Sequence, residues 1–113
     1  MTKETQLSSP IYNSLLRVDG ASVELPSPFE KPNDALDVWV YELPTHLQGL
    51  SSWCKEVSEI LSVESDLLKK LASTGCSITL FIEPSKSSSS LRFPHQFLSL
   101  LADMKVSLEI YSP

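Results

Sequence analysis

The sequence predicts an α+β or α/β fold, a two-layer sandwich in which helices cover one face of a four- or five-stranded mixed sheet. Three observations lead there. Short runs rich in β-branched and aromatic residues stand at positions 36–43, 78–83 and 106–110. Stretches with apolar residues at three- and four-residue steps separate them. The chain has 113 residues, 42% of them hydrophobic, which is enough for one real core but too short for two ordinary domains.

Along the chain, residues 1–10 are polar and read as a flexible N-terminal arm, leaving 11–113 as a single domain. Residues 12–18 read as a first strand closed by the turn dipeptide Asp19-Gly20, and 21–25 as a short returning strand. Pro26, Pro28 and Pro32 then impose an acidic loop up to Asp34. The clearest early strand is Leu36-Asp37-Val38-Trp39-Val40-Tyr41-Glu42-Leu43, ended by Pro44.

Thr45-His46-Leu47-Gln48 matches a capping box, and Leu47, Leu50, Cys54, Val57 and Leu61 form one helix stripe behind it. Gly49 weakens the start of that helix, so it is expected nearer Ser51. Val63, Leu67 and Leu71 form a second stripe, with Ser62 as its cap and Gly75 as its left-handed stop. Periodicity does not decide between one bent helix and a broken pair. After the strand at 78–83, Pro84 and a serine-rich connector lead to a helix carrying Phe97, Leu100, Leu101 and Met104. Lys105 closes it, and 106–110 alternates as the last strand.

Charge is informative by position. The net charge is −5, but from Asp19 to Asp66 ten acids face two bases, net −8, whereas residues 67–113 carry three acids and five bases, net +2. Such a middle segment repels phosphates, which argues against nucleic acid, and it suits a basic protein partner. The competing reading is that these acids only keep the domain soluble. No apolar run reaches membrane-spanning length and the first ten residues contain no signal-peptide core, so cytoplasmic residence is the expectation. Cys54 and Cys76 form no C-x-x-C pair and read as buried, reduced thiols.

The sequence carries no recognisable catalytic, metal or nucleotide pattern, and no cofactor or metal is expected. A hydrolase triad needs a base, and the two histidines, His46 and His95, fall at a helix cap and in a first helical turn. Cysteines and histidines are too scattered for zinc, and Gly20, Gly49 and Gly75 make no phosphate-cradling loop. Glu56, Glu59 and Glu64 read as a solvated helix face rather than a calcium or acid–base set.

A binding face follows from period two. With Val38, Val40, Ile78, Leu80, Ile82, Val106, Leu108 and Ile110 turned to the helices, the other face would present Trp39, Tyr41, Phe81, Glu109 and Tyr111. Together with Asp37 and Glu42 these form the candidate partner-binding set, aromatic anchors with steering acids. The expected function is a non-catalytic protein-binding module, with a cytosolic inhibitor or immunity-type protein as its sharpest form. The alternatives are a homodimer through the same face, a structural domain, or a ligand-binding or enzymatic pocket between helices and sheet near Glu83, Arg92 and His95.

The core pattern also carries a resemblance. It runs through Val38-Trp39-Val40-Tyr41, then Leu50, Val57, Ile60, Leu67-Leu68 and Leu71, then Ile78-Thr79-Leu80-Phe81-Ile82. It closes with Phe97-Leu98-Ser99-Leu100-Leu101-Ala102 and Leu108-Glu109-Ile110-Tyr111. Over about residues 36–112 this resembles a family of small bacterial α/β proteins known only as a domain of unknown function. The turn of proline, threonine and glycine typical of that family is replaced here by Leu25-Pro26-Ser27-Pro28. The resemblance implies an α/β fold and transfers no catalytic residue.

Overall fold

A computed structural model describes residues 11–33, 37–45, 49–85 and 91–111. The arm at 1–10, the strand-leading Leu36, the greater part of the capping box with His46, and the serine connector at 86–90 lie outside these residues. Strand β1 (Ile11–Asp19) is followed by β2 (Val38–Glu42), helices α1 (Leu50–Val63) and α2 (Ser65–Ser73), β3 (Ser77–Pro84), α3 (His95–Asp103) and β4 (Val106–Ile110). The four strands form one mixed sheet in the order β2-β1-β3-β4. β1 is antiparallel to both of its neighbours, whereas β3 and β4 are parallel and joined through α3. This is the anticipated α+β sandwich, with four strands.

The central strands show why one face belongs to the helices. Leu16 and Val18 on β1, and Ile78, Leu80 and Ile82 on β3, alternate in sequence and are buried. Trp53, Cys54, Val57 and Leu61 of α1, Leu68 and Leu71 of α2, and Phe97 and Leu101 of α3 complete that core. Trp53 is its largest fully buried side chain. Its indole Nε1–H donates to the Pro44 carbonyl at 3.0 Å, and its ring lies 5.7 Å from Phe97 and 6.3 Å from Phe93. That hydrogen bond anchors the exit of β2 to α1.

Several expectations need correction. Residues 21–25 form no strand. Ala21, Leu25 and Phe29 are instead buried, with Phe29 edge-on to Tyr41 at 5.2 Å, so the proline-broken loop packs into the core. Among the described residues an isolated backbone bridge also ties the loop to the sheet, in which Glu30 and Val40 exchange both backbone hydrogen bonds at 2.8 Å. The two helical stripes are separate helices meeting at Glu64, whose φ of −90° and ψ of 9° interrupt the ladder. Ser62 therefore lies inside α1 and caps nothing. Gly75 does adopt a left-handed φ of 94°, as a helix stop requires. Cys54 is buried, Cys76 only half-buried, and both are free thiols.

The face assigned to β2 is reversed. Register places Trp39 opposite Val18 and Tyr41 opposite Leu16, so both aromatics share the helix-facing side. Trp39 is 8% exposed, and Tyr41 packs partly buried against the core. Val38 and Val40 point to the other side, opposite Asp19 and Arg17. Both parities of this strand are apolar, so alternation alone does not choose a face. The larger area hidden by Trp and Tyr favours turning them inward.

Candidate functional site

The helix-free face of the sheet is organised by the same register. Leu15 on β1 lies between Glu42 of β2 and Phe81 of β3, and Phe81 pairs in turn with Glu109 of β4. In the next row Arg17 lies between Val40 and Thr79, and Thr79 pairs with Ser107. Asn13 pairs with Glu83 at the end near Tyr111. Leu15, Val38, Val40 and Phe81 are half-buried, and Tyr111 is 56% exposed. They form an apolar strip of the kind that marks interaction sites on sheet faces.

The strip is concave. A depression of about 400 Å³ runs across it, lined by Leu15, Val38, Val40, Phe81 and Tyr111 with Pro32 at its rim and Asn13, Arg17 and Glu83 as polar groups. Arg17 donates from Nε and Nη2 to the Asp19 carboxylate at 2.9–3.1 Å, which spans two residues along one strand face. Those hydrogen bonds raise the guanidinium pKa above its ordinary value, against a small opposing cost of burial, and the Glu109 charge adds to the increase. Arg17 is thus a fixed positive charge already engaged by Asp19. The paired positions of this face carry four acids, Asp19, Glu42, Glu83 and Glu109, against that one base, a local excess of three negative charges.

The structure brings together Glu42, Phe81, Glu109 and Tyr111 of the expected set on this face. Asp37 is exposed just before β2, where its carbonyl accepts the Gly20 N–H at 2.9 Å. Trp39 and Tyr41 stand on the opposite side. Burial raises the Tyr41 phenol pKa, with a further contribution from Glu64. Sequence reasoning missed Leu15, Arg17, Val38 and Val40. The available signal was the Leu15-Leu16 doublet in β1, which puts an apolar residue on each face of a central strand. Glu83, Arg92 and His95, expected beside a pocket between helices and sheet, stand in different surroundings. Glu83 lines the open-face depression, whereas Arg92 and His95 are exposed at the entrance to α3 and do not line it.

Among the described residues no group of three or more His, Cys, Asp or Glu side chains converges in a metal-holding arrangement. None of their helices is long and apolar enough to cross a membrane. No family model, curated protein or solved structure matches the chain. The functional reading therefore rests on the geometry of the open face.

Proposed function

We propose that the protein is a non-catalytic binding module whose open sheet face receives a basic, amphipathic segment of a protein partner, with a stoichiometric inhibitor or immunity-type role as its most specific form. The observation that carries this reading is the apolar depression with Glu83 in its lining and Glu42 and Glu109 paired to its Leu15 and Phe81. Apolar side chains of the partner would fill the space over Leu15, Val40 and Phe81. Its lysines or arginines would meet Glu42, Glu83 and Glu109, which charge complementarity turns into faster encounter and fixed orientation. The parallel β3–β4 pair supports the same reading, because parallel strands are ordinarily covered on both faces and here the described helices cover one. A small apolar ligand is the second reading, favoured by the volume of the depression, which lies within the usual range for such sites.

A phage-displayed library of cationic amphipathic helices, selected against the purified protein, provides the test. Enriched peptides are expected to lose at least about tenfold in affinity on Phe81→Glu, with circular dichroism confirming the fold. Enrichment of neutral or acidic sequences, or cationic binders indifferent to Phe81→Glu, would overturn the assignment. A thermal-shift screen of apolar small molecules addresses the second reading with the same variant.

A further inference from the structure

The two edges of the sheet differ. On β2 the outer edge is engaged where Glu30 and Val40 exchange their backbone hydrogen bonds. On β4 no described residue occupies the outer edge. The Tyr111 N–H donates inward to the Ile82 carbonyl at 2.7 Å. Backbone groups of successive strand residues point alternately to the two sides, so Ser107 and Glu109 also face β3. Val106, Leu108 and Ile110 therefore direct their N–H and C=O groups outward. Proline and lysine, the usual guards of an open edge, are absent from Val106–Ile110. Ile110 remains 46% exposed although it lies on the helix-facing side with Ile82.

We infer that β4 is a self-pairing edge, and that its occupant is the β4 strand of a second copy of this chain in antiparallel register centred on Leu108. That register is self-complementary. It sets Leu108 opposite Leu108 of the other copy, Val106 opposite Ile110, and Ser107 opposite Glu109. All three outward-facing residues then pair with outward-facing partners, which makes about six interchain backbone hydrogen bonds. The apolar side chains of both copies meet on the helix side, and each Glu109 faces a serine. Centring on Glu109 would oppose two carboxylates. Centring on Ser107 would draw in Lys105, whose left-handed φ of 58° takes it out of the strand. The joined sheet has eight strands, and a twofold contact of this kind closes on itself. Electrostatics favours this edge over the open face. Lys105 and Glu109 balance locally beside β4, whereas the open faces of two copies would confront each other with like charge.

Light scattering after gel filtration, at about 100 µM chain, is expected to give twice the 12.5 kDa chain mass. Ile110→Lys should weaken the dimer by at least about tenfold while retaining the native circular dichroism spectrum. Ser107→Lys, which places a lysine opposite each Glu109, should tighten it, and that gain should shrink at high salt. Phe81→Glu on the open face should leave the dimer intact, so this outcome is separable from the partner-binding test. A monomer for the wild-type chain overturns the inference. So does a dimer insensitive to Ile110→Lys, one weakened by Ser107→Lys, or one dissociated by Phe81→Glu.

Discussion

Ser14 is the one buried polar side chain on β1, 2% exposed, and its hydroxyl finds no hydrogen-bond partner among the described residues. It lies opposite Ile82, and its backbone carbonyl accepts the Leu43 N–H at 3.0 Å. The strand therefore uses its backbone and leaves the hydroxyl desolvated, a cost on the order of 1 kcal/mol or more. Ser14→Ala is expected to raise stability by about 1 kcal/mol, read as a higher urea midpoint at unchanged slope. A lower midpoint would show that the hydroxyl is satisfied. Cys54 illustrates the same physics for an ionisable group. Burial pushes its thiol up to about 11, so at pH 8 only about one molecule in a thousand carries the reactive thiolate there. A thiol reagent at that pH should label Cys76 promptly and Cys54 only after unfolding. Because the folded pKa of Cys54 lies above the ordinary thiol value near 9.0, the unfolded chain loses this proton first as pH rises. The contribution to stability is intact below about pH 9 and falls between about 9 and about 11. Urea midpoints taken across that range should decline, and the decline should be smaller in Cys54→Ala.

At the scale of elements, β2 decides the most. Its five residues have apolar or aromatic side chains on both parities, and pairing with β1 selects the face on which Trp39 and Tyr41 enter the core. The two faces of this strand should therefore respond differently to truncation. Trp39→Ala is expected to cost about 3 kcal/mol or more, because it opens a cavity beside Val18, whereas Val40→Ala on the half-exposed face should cost about 1 kcal/mol. Equal losses in denaturant melts would contradict the register. The α1–α2 break shows the reverse relation of pattern to structure. Two separate apolar stripes are visible in the sequence, and Glu64 is where the backbone leaves helical angles between them, with the Glu64 N–H still bonded to Ile60 O and the Leu68 N–H to Glu64 O. The break is a local change of backbone angle with hydrogen bonds on both sides of it, so apolar spacing alone gave no reason to prefer it over a bent helix.

For the molecule as a whole, charge and shape act together. Among the acids of the middle segment, Asp19 and Glu42 lie on the open sheet face, whereas Glu56 and Glu59 lie on α1. Glu42 joins Glu83 and Glu109, which come from the later, less acidic part of the chain, around the open-face depression. Electrostatic steering of a basic partner to this face should therefore show in the rate of association. Peptides selected on it are expected to associate more slowly as salt rises, by about tenfold between about 0.05 and 0.5 M, with a smaller change in dissociation. Glu42→Lys/Glu109→Lys should flatten that dependence in stopped-flow measurements. An association rate indifferent to salt and to the charge reversals would mean that the acids serve solubility alone.

What the sequence determined by itself was the set of elements. The strands at 78–83 and 106–110, the helix carrying Phe97 and Leu101, and the stop at Gly75 all follow from local rules: period two, period 3.6, and the left-handed conformation that glycine tolerates. Phe81, Glu109 and Tyr111 were placed on the correct face because β3 and β4 alternate unambiguously. The tertiary structure alone decided the rest. It set the direction of β2, the burial of Leu25 and Phe29 under a proline-broken loop, and the meeting of Leu15, Val40 and Phe81 across three strands. The physical reason is that burial is a property of pairs of elements. A strand apolar on both parities is undecided until its neighbour's register fixes which side is covered. For β2 the neighbour is β1, where Leu16 and Val18 lie beneath the helices and draw Trp39 and Tyr41 to their side.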